Sequence, residues 1–452
     1  NMAIAKMNKY PRIFVLCYSH FGMLDNWLSV VNALNNTERH LDFTLIIPDA
    51  SIIRSFHRDN AVISMSKNIF NSILVCVYDD IWMEQSSIFN AIEWHQKNHK
   101  FIRVIGILSR LIRKHFIYVN PRHILAILYN KVYGKESKLR YEDLERHISK
   151  IDILLYDIHS QGKNNNLSQL LRLFKNNNKY SFPHAISIKE FSAKPYVVDV
   201  ENNNNVKVYA YSKSMSDFYK KRHGISEYKI HIVGIPRHDK KWINTIQNES
   251  SSLPDNFINN TVLVLSRHID GNLSFIEKTD SIRNIKKIFI DELGMKLVIK
   301  RHPNEIKERI FSNKHCTIYE DVLGLNNYGL TWVYSNLHTF ALAKGKKLVV
   351  SLYTGVAIDV VVMKTPCVEY IESSIKSKNH NNMDKKLTLF VKYGFISGVL
   401  GCHELSDYFK KLNQSPDEMS NISMNTYKKF FPIIDNISMK IANEILYENK
   451  VN

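Results

Sequence analysis

The segment Arg12-Ile-Phe-Val-Leu-Cys-Tyr-Ser-His20 is an apolar run that ends in polar residues and leads into Phe21-Gly22. A buried parallel strand enters the loop before a helix in this way. Helical periodicity follows over Leu24 to Leu34. These features predict a strand, a loop and a helix in succession, which is the first half of a βαβ crossover.

Similar apolar runs recur at intervals long enough for right-handed crossover connections. They are Phe43 to Ile47, Ile73 to Tyr78, Ile151 to Tyr156, Val206 to Tyr211, Lys229 to Val233, Thr261 to Leu265, Lys296 to Ile299, Thr331 to Tyr334, Leu348 to Ser351 and Cys367 to Tyr370. The alternation predicts an α/β fold with two Rossmann-like domains that face a central cleft. Ligands of such sheets bind outside the carboxyl ends of the strands.

The length of the chain also favours two domains, because 452 residues are roughly three times the ~150 residues of one typical domain. The stretch Asn244 to Asn260 is rich in Ser, Asn and Pro and is predicted to link them. We expect one Rossmann-like domain over residues 1–245 and a second over 246–405. A helical segment over 406–452 is expected to cross back to the first domain.

The chain is strongly basic, with 61 Lys and Arg against 43 Asp and Glu and a formal net charge of +18. Such a charge indicates an anionic partner, and nucleic acid, anionic lipid and acidic glycan all fit that sign. The charge is spread over both halves, and no helix-turn-helix signature or arginine-rich tail is present. We therefore predict no nucleic-acid partner.

Cysteine usage and hydropathy bear on the compartment. The five cysteines are scattered, with no spacing suited to zinc, which favours a reducing cytoplasm. No signal-peptide pattern precedes Arg12, and no apolar run reaches the ~18 residues that span a bilayer. We expect a cytoplasmic protein.

One segment, Lys100 to His115, interleaves Arg103, Arg110, Arg113 and Lys114 with apolar residues. This pattern predicts a basic amphipathic helix. Such a helix either packs on the sheet with its basic residues in water or lies against an anionic membrane surface or the acceptor. The second alternative would make the protein peripheral on the inner face of the cytoplasmic membrane.

The stretch Lys300-Arg301-His302-Pro303-Asn304-Glu305 directly follows the predicted strand Leu297 to Ile299. Two cations and an imidazole at the carboxyl end of a strand can neutralise a phosphate oxygen as it leaves. The proline ends the strand and sets the direction of the loop. The alternative is a surface turn in a basic protein.

This stretch belongs to an ordered set of motifs. Val233-Gly-Ile-Pro-Arg237 is followed by Trp242-Ile243, then by Leu265-Ser-Arg267, and then by Lys300-Arg-His-Pro303. Their order and spacing resemble the capsule and teichoic-acid transferase superfamily, over roughly Ser181 to Tyr370. That superfamily includes bacterial polysialyltransferases, Kdo transferases and CDP-glycerol polymer transferases, which share the glycosyltransferase-B fold.

The resemblance implies roles for several residues on the donor side. His302 would bind the donor phosphate or assist departure of the leaving group, with Lys300, Arg301 and Arg267 beside it. The family also holds the nucleotide phosphate in a serine-rich loop, whose place is taken here by Val349-Val-Ser351-Leu-Tyr-Thr354-Gly-Val-Ala-Ile-Asp359. Ser351 and Thr354 would contact the phosphate near a helix start. Asp359 would reach a ribose hydroxyl, or else face solvent.

Three residues are candidates on the acceptor side. Phe182-Pro183-His184-Ala185-Ile186 resembles the Pro-His-Gly stretch that supplies a catalytic histidine in the CDP-glycerol branch, with alanine in place of glycine. An imidazole is suited to accept the proton of an acceptor hydroxyl. Asp157, in a loop that also carries His159, is the competing base, and His20 lies at the mouth of the first strand.

The absence of other signatures narrows the class of enzyme. The sequence has no Gly-x-Gly-x-x-Gly fingerprint, phosphate-binding P-loop or Gly-x-Ser-x-Gly elbow. It also lacks an Asp-x-Asp metal motif, so we predict an enzyme without cofactor or metal. The expected reaction is transfer of a sugar from a nucleotide donor, with a CMP-activated ulosonic acid as first choice, to a bacterial surface glycan or a lipid-linked glycan. A CDP-polyol transferase, a UDP-sugar transferase and a sugar-nucleotide epimerase are the alternatives.

Overall fold

The structure is a computed structural model. It describes residues 11–18, 21–37, 41–50, 52–53, 60–78, 81–98, 138–140, 144–145, 148–158, 170–183, 185–187, 205–303, 305, 318–372, 387–432 and 435–449. All structural statements below concern these residues.

The described strands form two sheets. Those of the first sheet are β1 (Arg12–Leu16), β2 (Asp42–Ile47), β3 (Ser72–Tyr78), β4 (Ile81–Gln85), β5 (Lys138–Arg140), β6 (Ile153–Tyr156), β7 (Asn178–Ser181), β8 (Val206–Ala210) and β9 (Ile230–Ile232). Those of the second are β10 (Thr261–Leu265), β11 (Lys296–Lys300), β12 (Trp332–Tyr334), β13 (Leu348–Ser351), β14 (Cys367–Ile371) and β15 (Ser397–Leu400).

The strand order explains where a cleft forms. The first sheet runs β5-β4-β3-β2-β1-β6-β7-β8-β9, and the second runs β12-β11-β10-β13-β14-β15. Both sheets reverse direction beside their first strand, as doubly wound folds do. The described pairs are parallel in both sheets except β3 with β4 and β4 with β5. The predicted α/β architecture with two parallel sheets is confirmed.

Helices lie between most of these strands. The α-helices with defined bounds are Asp25–Asn35, Asn60–Ile69, Lys213–His223, Lys240–Glu249, Phe275–Lys286, Thr339–Ala343, Ala357–Val362, Leu389–Lys392, Gly401–Gln414, Pro416–Phe430 and Ile437–Glu448. A further helix covers 88–98. Short 3-10 turns lie at Phe21–Leu24, Glu227–Lys229, Pro236–His238, Asp255–Phe257 and Leu325–Asn327, and π turns at Lys287–Glu292 and Glu320–Gly324.

The sequence pattern located continuous apolar strands better than strands of mixed composition. Thr261–Leu265 and Leu348–Ser351 have the predicted bounds because both are fully buried apolar runs. Ile81–Gln85 and Asn178–Ser181 were not predicted, since each mixes polar and apolar residues. The predicted domain boundary at 245/246 falls inside the helix Lys240–Glu249, which continues because Trp242 and Ile246 bury one face of it.

The last helix returns to the first sheet. Glu444 and Glu448, on the helix Ile437–Glu448, pair with Lys207 of β8. The hydroxyl of Tyr180, on β7, donates to Glu448 Oε2 over 2.8 Å. The C-terminal helix therefore packs against the first sheet.

Candidate active site in the cleft

The loops after β10 and β11 lie side by side because the two strands are parallel neighbours, with Leu265 opposite Lys300. The amide of Ser266 donates to the carbonyl of Lys300 over 3.0 Å. The rings of His268 and His302 follow, with centroids 4.7 Å apart and an interplanar angle of 36°. Two imidazoles thus meet at the carboxyl edge of the second sheet.

Arg301 precedes His302 in the chain and packs against an aromatic ring. Its guanidinium carbon lies 4.0 Å from the ring centroid of Tyr334, which ends β12. The Arg301 Nε is buried without a hydrogen-bond partner, and so is the Nδ1 of His268. A buried donor without a partner costs free energy, so an incoming acceptor such as a phosphate oxygen would be favoured here.

Glu305 fixes the loop that carries His302. Its Oε2 accepts from the amide of His302 over 2.5 Å, and its Oε1 accepts from Ser266 Oγ over 2.9 Å and from the Tyr319 hydroxyl over 3.1 Å. Oε1 also pairs with Lys278, which is 1% exposed. The site-residue predictions omitted Glu305 and Lys278. The three-residue spacing from His302 to Glu305, which is that of a capping box, was the available signal for the first.

Arg267 and Lys300 join neighbouring loops. Arg267 Nη1 donates to the carbonyl of Tyr353 over 2.8 Å, and its Nε donates to Asp270 Oδ2 over 2.9 Å. Burial would raise the pKa of Asp270, but Arg267 and Asn272 outweigh it and hold that pKa at about 2. Lys300 Nζ donates to the carbonyl of Leu337 over 2.5 Å. Both predicted donor-site cations lie at the expected edge of the sheet, and their hydrogen bonds connect its loops to each other.

The loop after β13 carries Ser351 and Thr354. Ser351 is fully buried, and its Oγ accepts from the Thr354 amide over 3.4 Å. Tyr353 has a φ of 54°, a left-handed conformation that aromatic residues rarely adopt. The following helix begins only at Ala357 and has six residues. Phosphate contacts of the two hydroxyls remain a prediction.

Asp359 lies in a buried network and is 2% exposed. Its Oδ1 accepts from Arg237 Nη2 over 2.9 Å and from His238 Nε2 over 2.7 Å, while the hydroxyl of Tyr427 lies 2.7 Å from His238 Nδ1. Burial opposes its charge, but Arg237 and His238 lower the pKa of Asp359. A ribose contact at Asp359 would require this network to open.

The same network crosses between the sheets. Asp25 begins the helix after β1, and its Oδ2 lies 3.0 Å from His338 Nε2 and 3.7 Å from Arg237 Nε. His338 Nδ1 accepts from the Phe340 amide, so the Nε2 carries the proton that is donated to Asp25. Burial alone would raise the pKa of Asp25, but His338 and Arg237 hold it at about 2. Since both segments follow strand ends, the carboxyl edges of the sheets face each other.

Asp157 directly follows β6 and is 3% exposed. Burial raises the pKa of the Tyr18 and Tyr219 hydroxyls, and the charge of Asp157 raises both further. Burial and Asp157 also raise the pKa of Tyr211. The carboxyl group thus lies in a pocket of tyrosines at the carboxyl edge of the first sheet.

Some predicted residues lie outside the described part of the chain. These are His184, His20, His159 and the basic segment Lys100 to His115. The residue before His184 is anchored, because the carbonyl of Pro183 accepts from Asn26 Nδ2 over 3.0 Å. Their roles remain predictions.

Comparison with known proteins identifies the fold. No family model and no curated protein matches the sequence. Among solved structures, a UDP-N-acetylglucosamine 2-epimerase aligns with a TM-score of 0.55 and 9% identity, covering 98% of this chain and 97% of that one. The S. aureus MnaA-UDP co-structure gives 0.54 and 12%, covering 98% of each chain. A single-residue variant of the wall teichoic acid polymerase TagF gives 0.53 and 11%, covering 98% of this chain and 89% of that one.

The chain has the glycosyltransferase-B fold. Asp157 lies at the carboxyl edge of the first sheet, and Arg301 and His302 lie at the carboxyl edge of the second. Among the described residues, no helix has the length and apolar character to cross a bilayer. In the same part of the chain, no group of three or more His, Cys, Asp or Glu converges as a metal site would require.

Proposed function

We propose that the protein is a glycosyltransferase that uses a nucleotide-activated sugar and holds the donor phosphate against Arg301, His302 and His268. The observation that supports this most directly is the buried Arg301 Nε, which lacks a partner at a strand-end edge. The next residue in the chain is His302, whose ring stacks near that of His268. Ligands of this fold class bind at that edge.

The proposed reaction is a displacement at the anomeric carbon. The acceptor oxygen forms a bond to that carbon while the bond from the carbon to the phosphate oxygen breaks. The acceptor proton passes to the base, for which His184 is our first choice and Asp157 the alternative. The nucleotide leaves with the bonding electron pair, and Arg301 and His302 stabilise its negative charge.

For the donor we propose a CMP-linked ulosonic acid, transferred to a surface glycan. The motif resemblance supports cytidine, and one guanidinium with two imidazoles suits the single phosphate of CMP. The TagF structures include a soak with CDPG, and the MnaA structure contains UDP. CDP-linked and UDP-linked donors are therefore the alternatives to test.

The first experiment measures the melting temperature with CMP, CDP, UDP and GDP in parallel. A ligand that binds only the native state raises the melting temperature. At a hundredfold excess over Kd it adds about 2.7 kcal/mol to the free energy of unfolding. We expect the largest shift with CMP and a smaller one in Arg301→Gln. Arg283→Gln is the matched control, because that side chain is 61% exposed and distant in sequence from the strand-end loops.

A second experiment separates transfer from epimerisation. CMP-N-acetylneuraminic acid and UDP-N-acetylglucosamine are each incubated with and without a glycan acceptor, and the products are identified. Conversion of the UDP-sugar without acceptor would identify an epimerase. If none of the four nucleotides shifts the melting temperature, the proposed donor site is wrong.

A further inference from the structure

One cavity is lined by residues outside the loops that follow β10 and β11. It has a volume of about 370 Å³, within the ~300–1,000 Å³ typical of small-molecule sites. Its walls come from four separate parts of the chain, namely 186–187 after β7, 211–222 after β8, 389–395 before β15, and 430–431 at the end of the helix Pro416–Phe430. We call it the aromatic cavity, because seven of the described residues that line it are Phe or Tyr.

The inner and outer rings of the aromatic cavity differ in exposure. Phe390, Phe395 and Phe431 are at most 4% exposed and form its base. Tyr393 and Phe430 are 43% and 38% exposed, and their ring centroids lie 4.8 Å apart at an angle of 37°. Such an exposed aromatic pair presents flat apolar surface to the solvent without being needed to close the core.

Polar groups line the other side of the cavity. Ser212 and Ser214 have hydroxyl oxygens 2.9 Å apart. Lys221 is exposed and has no ion-pair partner within the described chain, whereas Asp217 is neutralised by Lys213 and Lys220. The unpaired charge at the rim is therefore positive, which favours an anionic ligand.

The aromatic cavity also adjoins the proposed acceptor side. Ile186 and Ser187, which follow the Pro183 stretch by a few residues, line it. Tyr211 lines it as well, and the charge of Asp157 contributes to the raised pKa of that residue after burial. The segment after Pro183, which the proposed function assigns to the acceptor side, therefore borders this cavity.

We propose that the aromatic cavity binds an acidic saccharide, which is the acceptor end of the glycan. Flat rings suit the apolar faces of a pyranose, the serine hydroxyls suit its hydroxyl groups, and Lys221 suits a carboxylate. The serine hydroxyls and Lys221 would have no counterpart on a lipid chain, which disfavours a lipid as the occupant. This inference rests on the proposed function and names the substrate class of its acceptor site.

Saturation-transfer NMR tests the inference without any turnover. The probes are two matched pairs, methyl β-glucuronide with methyl β-glucoside and sialyllactose with lactose. We expect the acidic member of each pair to bind more tightly, and Tyr393→Ala with Phe430→Ala to weaken its binding at least tenfold. Lys221→Gln should reduce the preference for the acidic member. Tyr447→Ala, an 86% exposed tyrosine, and Lys410→Gln, a 71% exposed lysine, are the matched controls because neither side chain lines the cavity.

Each result decides the matter. Equal binding of both members of a pair, or no binding of either, overturns the proposal. Unchanged saccharide binding in the Tyr393/Phe430 variant also overturns it. Both side chains are partly exposed, so we expect this variant to fold, and its melting temperature checks this. If that variant instead loses CMP affinity, the cavity holds the base of the nucleotide. If the protein binds the acidic saccharide but none of the nucleotides, the donor proposal fails and the cavity proposal stands.

Discussion

Glu305 Oε2 accepts a hydrogen bond from the amide of His302, while Glu305 Oε1 pairs with the buried Lys278. One carboxylate therefore positions the backbone of the strand-end loop and neutralises a cation that is 1% exposed. The position of His302 depends on a charge pair that itself lies away from the solvent.

Breaking this pair on one side should be costly. Glu305→Gln leaves Lys278 buried without a countercharge, and we expect the free energy of unfolding to fall by about 3–5 kcal/mol. Urea denaturation measures it. Adding Lys278→Met should restore most of the loss, because the uncompensated charge is then gone. A single variant as stable as the parent would contradict the assigned pairing.

Replacing His302 tests stabilisation of the leaving group. His302→Ala should reduce kcat by on the order of 10² with little change in melting temperature, because the ring lies at the edge and outside the core. His403→Ala is the control, since that imidazole is 90% exposed on the helix Gly401–Gln414. Near-normal turnover in a folded His302→Ala protein would remove the donor-phosphate assignment.

The identity of the base is tested by comparing two variants at saturating donor. We expect His184→Ala to abolish transfer while CMP affinity is kept, because a base acts on the acceptor and not on the nucleotide. Asp157→Asn should be far milder. A dead Asp157→Asn enzyme together with an active His184→Ala enzyme would assign the carboxylate as the base.

Glu369 predicts a pH dependence of stability. Burial raises the pKa of Glu369 to about 7, although Thr388 and the charge of Arg267 both act to lower it. The folded protein therefore holds this proton more tightly than the unfolded chain. Its stabilising contribution is complete below the ordinary glutamate pKa and is lost as the pH rises through about 7.

Glu369→Gln removes that ionisation. The stability of the variant relative to the parent should rise between pH 5 and pH 8, by roughly 3 kcal/mol. Chemical denaturation at both pH values measures the difference. A constant difference across this range would mean that Glu369 titrates well below neutrality.

Composition and strand order were enough to predict the two sheets and the edge at which the proposed donor-site residues lie. Buried parallel strands are continuous apolar runs, so Thr261–Leu265 and Leu348–Ser351 were located by composition alone. Because parallel strands place their carboxyl ends at one edge, the positions of Arg267, Arg301 and His302 near each other followed from order along the chain.

The pairing of distant side chains became visible in the folded protein alone. Asp25 contacts His338 across 313 positions, and Arg237 contacts Asp359 across 122. The aromatic cavity joins four segments that share no motif. Such contacts leave no periodic signal, because a hydrophobic pattern records whether a residue is buried and not which distant residue it packs against. Asp359 illustrates this, since its place in the motif suggested a ribose ligand while the fold surrounds it with Arg237 and His238.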